Sequence, residues 1–162
     1  MKNYKAPWSK LLIIVSTLVT ALCVAAAIGL ISCGRGLVKC LALLPLAIMF
    51  GAALFTVRGY QVTPGAILVR RLFWKTCLPL VDLVSAQYVP NAMRRSLRAF
   101  GNGGLFSITG SFNNKTLGAY RAYVTDLHRT VVLRFSSHTV VVSPSKPEEF
   151  VLDVCAMGHS DQ

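Results

Sequence analysis

Residues 101 to 118 read GNGGLFSITGSFNNKTLG and combine five glycines with two adjacent asparagines and a lysine, the residue types of phosphate-cradling loops. Such a loop needs a strand, a run of free backbone amides and a helix whose N-terminus faces the anion. Here Gly104 to Gly110 ends in the wrong residues, Lys115-Thr116 follows asparagines, and the next element is a strand beginning near Gly118. The stretch therefore reads as backbone punctuation. Asn113-Asn114 has good turn chemistry, and Gly101, Gly103 and Gly104 permit a bend or bulge where strands cross between sheets. Asn114-Lys115-Thr116 matches a glycosylation acceptor, but a turn is the simpler reading.

The basic residues carry more chemistry. Arg94, Arg95 and Arg98 fall in NAMRRSLRAFGN, read as a loop before the glycines, and Lys115 falls in the following turn. Together they form a candidate patch for an anionic lipid or a protein partner. From Arg58 onward there are 12 Lys and Arg against 6 acidic residues, and basic groups beside an anionic leaflet gain about 1 kcal/mol each. Specific nucleic-acid binding is not expected, because the aromatic residues do not interleave with the arginines as a base-stacking platform requires.

Catalysis is not expected either. His128, His138 and His159 are scattered, Asp126-Leu127-His128 sits at a turn, and no HExxH, GxSxG or Cys-His arrangement is present. No cofactor and no metal site is predicted. Cys23, Cys33, Cys40, Cys77 and Cys155 have neither zinc spacing nor an even disulfide framework. Cys33 and Cys40 bracket one turn, and whether they pair is open.

The elements that must position these residues begin in lipid. Over 162 residues the chain is 54% hydrophobic, too apolar for an ordinary soluble domain. Leu11 to Ser32 carries no charge, and Cys40 to Val57, helped by Leu37 and Val38, nearly repeats it. Spans of about 20 apolar residues cross a bilayer as helices. Leu30-Ile31-Ser32-Cys33 resembles a lipoprotein cleavage box, but the first run exceeds a signal-peptide core and a second follows at once. A retained transmembrane hairpin is expected, with helices about 11–32 and 37–57 and Pro45 tolerated in the second. Lys2, Lys5 and Lys10 precede it and Arg58, Arg70 and Arg71 follow, against Arg35 and Lys39 in the turn. Both termini are thus placed in the cytosol at the inner membrane, with Trp8 and Tyr60 as interfacial rings. No ionisable residue lies mid-helix, which argues against an ion pathway. Ala21, Ala25 and Gly29, and Ala47 with Gly51, are small-residue stripes for close packing, either within the hairpin or between molecules.

After Arg58 the apolar period becomes two. A long strand is predicted from Ala66 to Trp74, entered through Thr63-Pro64-Gly65, with further strands at 84–89, 118–124, 131–135 and 139–142. Ser145 and Glu148 have capping-box spacing around Pro147, and Phe150, Val151, Val154 and Met157 share one face of a final helix.

The ordered string GGL at 103–105, GSF at 110–112, LGAYRAYVTD at 117–126, VVLRF at 131–135 and VVVSPSKPEEFV at 140–151 resembles the bacterial PH domain family. Members with one or two N-terminal membrane helices are common. The resemblance implies an α+β membrane protein whose mainly antiparallel PH-like split barrel is capped by a C-terminal helix. The expected organisation is 1–57 for the basic N-terminus and hairpin, 58–157 for the PH-like domain, and 158–162 for a polar tail. The lysine and spaced arginines of eukaryotic inositide-binding PH domains are missing from Tyr60 to Arg71, so inositide specificity is not carried over. A non-catalytic role follows, in protein interaction or homo-oligomeric assembly at the membrane, with anionic headgroup binding as the alternative.

Overall fold

The computed structural model describes residues 1–33, 36 and 40–158, and of Cys33 the backbone only. The Arg35 and Lys39 charges, the Cys33–Cys40 question and His159 with the polar tail lie outside the described residues. The chain opens with strand β1, Lys2–Lys5, and helix α1, Lys10–Cys33. Ser9 caps α1, its hydroxyl accepting from the Leu12 N–H at 3.2 Å. Helix α2 covers Leu43–Leu54; of the predicted 37–57, residues 37–39 lie outside the described residues and 55–57 have left the helix. Pro45 falls in its first turn, where the missing N–H costs no helical hydrogen bond. At the other end the N–H groups of Phe55 and Thr56 close tighter turns onto the Ala52 and Ala53 carbonyls. Among the described residues α1 alone is long and apolar enough to cross a membrane.

Four strands then follow: β2 Gly59–Thr63, β3 Ala66–Arg70, β4 Lys75–Pro79 and β5 Leu83–Tyr88. The single strand predicted over 66–74 is two, because Arg71–Trp74 turns, with the Arg71 N–H on the Trp74 carbonyl at 2.9 Å. Apolar Leu72, Phe73 and Trp74 hid that turn. Next come β6 Leu97–Gly103, β7 Ile108–Asn114, β8 Gly118–Val124, β9 Val131–Phe135, β10 Thr139–Val142 and helix α3 Pro147–Gly158. The last three strands and the helix match expectation. Arg98, predicted in a loop, stands on β6.

One sheet has the order β1-β2-β3-β4, the other β5-β9-β10-β8-β7-β6. All neighbours are antiparallel except β8 and β10, because β9 is laid down one place away and β10 returns into the gap. That central strand is Val140, Val141 and Val142, all buried, as a strand covered on both faces requires. The main core lies between the sheets, joining Val62, Ile67 and Val69 to Val131, Leu133 and Val142, closed by Phe150 and Val154 of α3. A second cluster, around Phe112, Tyr120, Val124 and Val141, backs the larger sheet.

Tyr60 departs from its predicted place at the bilayer interface. It is fully buried, donating to the Tyr123 carbonyl at 2.5 Å and accepting the Ser143 N–H at 3.0 Å. Burial pushes its phenol up to about 12. The capping box is likewise absent. Among the described residues no hydrogen bond joins Ser145 to Glu148; the Ser145 N–H donates to the Lys5 carbonyl at 2.9 Å.

Lys2–Lys5, expected only as a basic flank, pairs antiparallel with β2 from Lys2 opposite Val62 to Lys5 opposite Gly59. Tyr4 sets its ring edge-on to Phe150 at 5.2 Å. Its hydroxyl bonds the Asp153 carboxylate, which also takes Lys2 at 2.7 Å. The hydrogen bonds from Lys2 and then Tyr4 hold Asp153 below the usual carboxylate range. A depressed folded pKa stabilises when ionised, so the contribution is complete above the ordinary aspartate range and is lost as pH falls through the lowered value. Lys2 is exposed, so the effect is small. Amide exchange of residues 2–5 should speed up on acidification relative to β9, and Asp153→Asn should remove that extra pH dependence. Unchanged acid sensitivity in Asp153→Asn would reject the tether.

Candidate functional site

The glycine-rich stretch forms the β6–β7 hairpin. Gly101 faces Gly110 across it, with φ of +116° and +139°. A Cβ on Gly110 would stand 2.2 Å from the Phe100 carbonyl oxygen, and one on Gly101 2.3 Å from that of Thr109. Only glycine allows this approach. At the tip, the Asn102 side-chain oxygen accepts the Gly104 and Leu105 N–H groups at 3.3 and 3.0 Å. The Phe106 N–H donates to Ser16 of α1 at 2.9 Å, and the Ser107 hydroxyl to the Phe55 carbonyl at 3.2 Å. These amides, which a phosphate loop would leave free, are already bonded. The stretch docks the sheet onto the feet of both apolar helices.

At the far end of the hairpin, the Asn114 side chain accepts the Thr116 and Leu117 N–H groups at 3.1 and 2.6 Å. It also donates to the Ala92 carbonyl and Ser96 hydroxyl at 3.0 Å. The segments carrying Arg94, Arg95 and Lys115 therefore meet, but at the end remote from α1 and α2.

Arg98 behaves differently. Its side chain lies against Gly103, where a Cβ would stand 2.5 Å from Nη1. There it lines a cleft of about 770 Å³ together with Arg71 and Arg121. The cleft lies between the C-terminal end of α2, at Gly51, Ala52 and Phe55, and the β6–β8 surface. Gly101 and Gly110 also line it, bringing the paired backbones of β6 and β7 to its wall.

Arg71 joins these parts. Its Nη1 donates to the Phe55 carbonyl and its Nε to the Thr76 hydroxyl, each at 3.2 Å, placing a cation at the negative end of α2. Its guanidinium lies 5.4, 5.7 and 5.2 Å from the ring centres of Phe55, Trp74 and Tyr123. Burial lowers its pKa, while Tyr123 opposes the shift. Arg98 and Arg121 are exposed and make no hydrogen bond or ion pair among the described residues. Sequence reading passed over Arg71 as a topological flank and Arg121 as a strand residue; the strand alternation of β8, with Tyr120 and Ala122 on the opposite face, was the available signal for Arg121.

The two described histidines, His128 and His138, carry no comparable arrangement. The Asp126 carboxylate accepts the His128 backbone N–H at 3.0 Å, a turn contact. His138 stacks on Phe135 at 4.7 Å.

No curated protein and no solved structure matches the chain at a significant level. Residues 58–155, more than half of its length, match the family model described as Bacterial PH domain. PH-like domains are generally non-catalytic modules that bind proteins or lipids. With two facing sheets and a C-terminal helix over the core between them, the chain belongs to the bacterial PH domain family.

Proposed function

We propose that the chain is an integral protein of the inner membrane whose non-catalytic PH-like domain mediates protein assembly beside the bilayer. In this reading residues 1–57 supply the N-terminal flank and a two-helix hairpin, 58–157 the cytosolic domain, and 158–162 a polar tail, with both termini inside. The 24 residues of α1 extend about 36 Å, beyond the roughly 30 Å of a hydrocarbon core. Leu11, Ile14, Leu18, Leu22 and Ile28 are exposed along it. The 12 residues of α2 reach about 18 Å, so this crossing draws on the apolar residues that precede it.

The observation that carries assembly is β6. It is a seven-residue edge strand paired on one side only, with Leu97 78% and Phe100 82% exposed. Natural edges are usually short, charged or covered, and an open apolar edge accepts a partner strand. The partner tested first is a second copy. Gly29 and Gly51 have open space beside them, so a contact in lipid would reinforce the edge through tethering.

The chain should stay with membranes through a carbonate wash, and detergent-corrected light scattering should give a mass above the monomer. Leu97→Lys should return it toward the monomer with its melting temperature unchanged, and Gly29→Leu should do so in part. A monomeric wild type, or a Leu97→Lys variant of unaltered mass, would overturn assembly through β6. Release by carbonate would overturn the anchoring.

A further inference from the structure

We propose that the cleft between α2 and the β6–β8 surface is a binding site for the phosphate-bearing headgroup of an anionic phospholipid, held by Arg71, Arg98 and Arg121. The inference rests on the membrane placement of α1 and α2 proposed above and is independent of strand pairing at β6.

Three arginines, Arg71 from the β3–β4 turn, Arg98 from β6 and Arg121 from β8, line one concavity. Arginines sharing one cleft give it a positive field that suits an anion, and among the described residues no carboxylate lines it. Asp82, Asp126, Glu148, Glu149 and Asp153 stand on other elements of the fold. Arg71 commits donors to Phe55 and Thr76 and also engages Tyr123, and keeps others from its fork of five. Arg98 and Arg121 keep all of theirs, and forked donors suit the oxygens of a phosphodiester.

The walls distinguish a lipid from free phosphate. Gly51, Ala52 and Phe55 bring the end of an apolar helix to one side, and Phe100 and Tyr123 supply aromatic surface on the other. A free anion gains nothing from these groups, whereas glycerol and the first methylenes of a lipid lose exposure to water. A separate cavity of about 530 Å³ beside the helix feet carries Lys5 and Arg58. Basic groups thus flank the helices on two sides at the level where a headgroup layer would lie.

Trp74, 5.7 Å from the Arg71 guanidinium, serves as the reporter. The full-length Trp8→Phe chain, delipidated in a neutral detergent, is titrated with short-chain phosphatidylglycerol, short-chain phosphatidylcholine or inorganic phosphate. Bound lipid is counted in parallel by native mass spectrometry. Phosphatidylglycerol should saturate at one molecule per chain, with phosphatidylcholine and inorganic phosphate at least tenfold weaker. Arg98→Gln with Arg121→Gln should weaken phosphatidylglycerol at least tenfold at an unchanged melting temperature. Replacing Arg94, Arg95 and Lys115 together by glutamine should change it less than threefold. Equal affinity for the two lipids, an unaffected Arg98/Arg121 variant, or no retained lipid by either readout would overturn the site. Inorganic phosphate binding as tightly as phosphatidylglycerol would overturn its assignment to a lipid. Carbonate release tests the membrane placement separately.

Discussion

Replacing Phe150 by alanine should cost the PH-like fold about 3–5 kcal/mol, the range for deleting a buried aromatic ring. The ring is fully buried on α3, with Tyr4 and Tyr60 both edge-on, at 5.2 and 6.1 Å. Its loss removes apolar burial and both ring contacts, and the sheets on either side are too firmly paired to close the gap. Leu152, on the same helix and 70% exposed, provides the control: Leu152→Ala should stay within about 0.5 kcal/mol of the parent. Chemical denaturation of the full chain in detergent, followed by near-ultraviolet circular dichroism, measures both. Because Tyr4 packs on Phe150, the variant should also release β1, seen as faster amide exchange at residues 2–5. Equal stability of the two variants would mean that α3 does not close the core as described.

Gly110→Val should be comparably damaging for another reason. Valine at φ +139° occupies a conformation costing roughly 1–3 kcal/mol, and its Cβ would meet the Phe100 carbonyl at 2.2 Å, an overpacking term of similar size. A total near 3 kcal/mol or more is expected, concentrated in the β6–β7 hairpin. Gly104→Ala separates the two terms, since Gly104 has φ +135° but open space around it; only the conformational cost should appear there. Thermal melts of both variants decide the matter. A Gly110→Val chain as stable as Gly104→Ala would contradict the close pairing of Gly101 with Gly110. The damage should reach the cleft as well, because the hairpin carries Arg98 and two of the lining glycines.

Strands β8, β9 and β10 were legible to the residue because alternation and bounding turns agree there. Helix α3 was equally legible from Phe150 and Val154 on one face. Strands β2, β4, β6 and β7 have no counterpart among the predicted strands, and β1 and the turn before β4 were hidden by composition. Lys2–Lys5 has no apolar alternation of its own, and its pairing depends on Asp153 and Phe150, some 150 positions away in the chain. The Arg71–Trp74 turn carries no glycine, proline or asparagine to mark it. The glycines at 101 and 110 serve a close backbone approach inside one hairpin of one sheet, not at the expected crossing between sheets, and the stretch's role as the contact between sheet and helices depends on Ser16 and Phe55, which no local pattern connects to it. Of the predicted basic group, the fold draws Arg98 away from Arg94, Arg95 and Lys115 and sets it beside Arg71 and Arg121. Such a grouping arises only when two strands, a turn and a helix end are assembled.

The pairing of β1 with β2 means that the helical arm is an insertion between two neighbouring strands. One strand leads into α1 and the other leads out of α2, so the arm is fastened to the sheet at two points and lacks a swivel. Turning the domain about the helices would require breaking the ladder from Lys2–Val62 to Lys5–Gly59. A displacement of the helices is therefore passed to the sheet as torque. During synthesis β1 emerges some fifty residues before its mate, and the sheet cannot close until the arm has been made. A chain cut at Arg58 would bare the β2 edge and strip Tyr4 from Phe150, so the segment matching the family model is short of one strand of its own sheet.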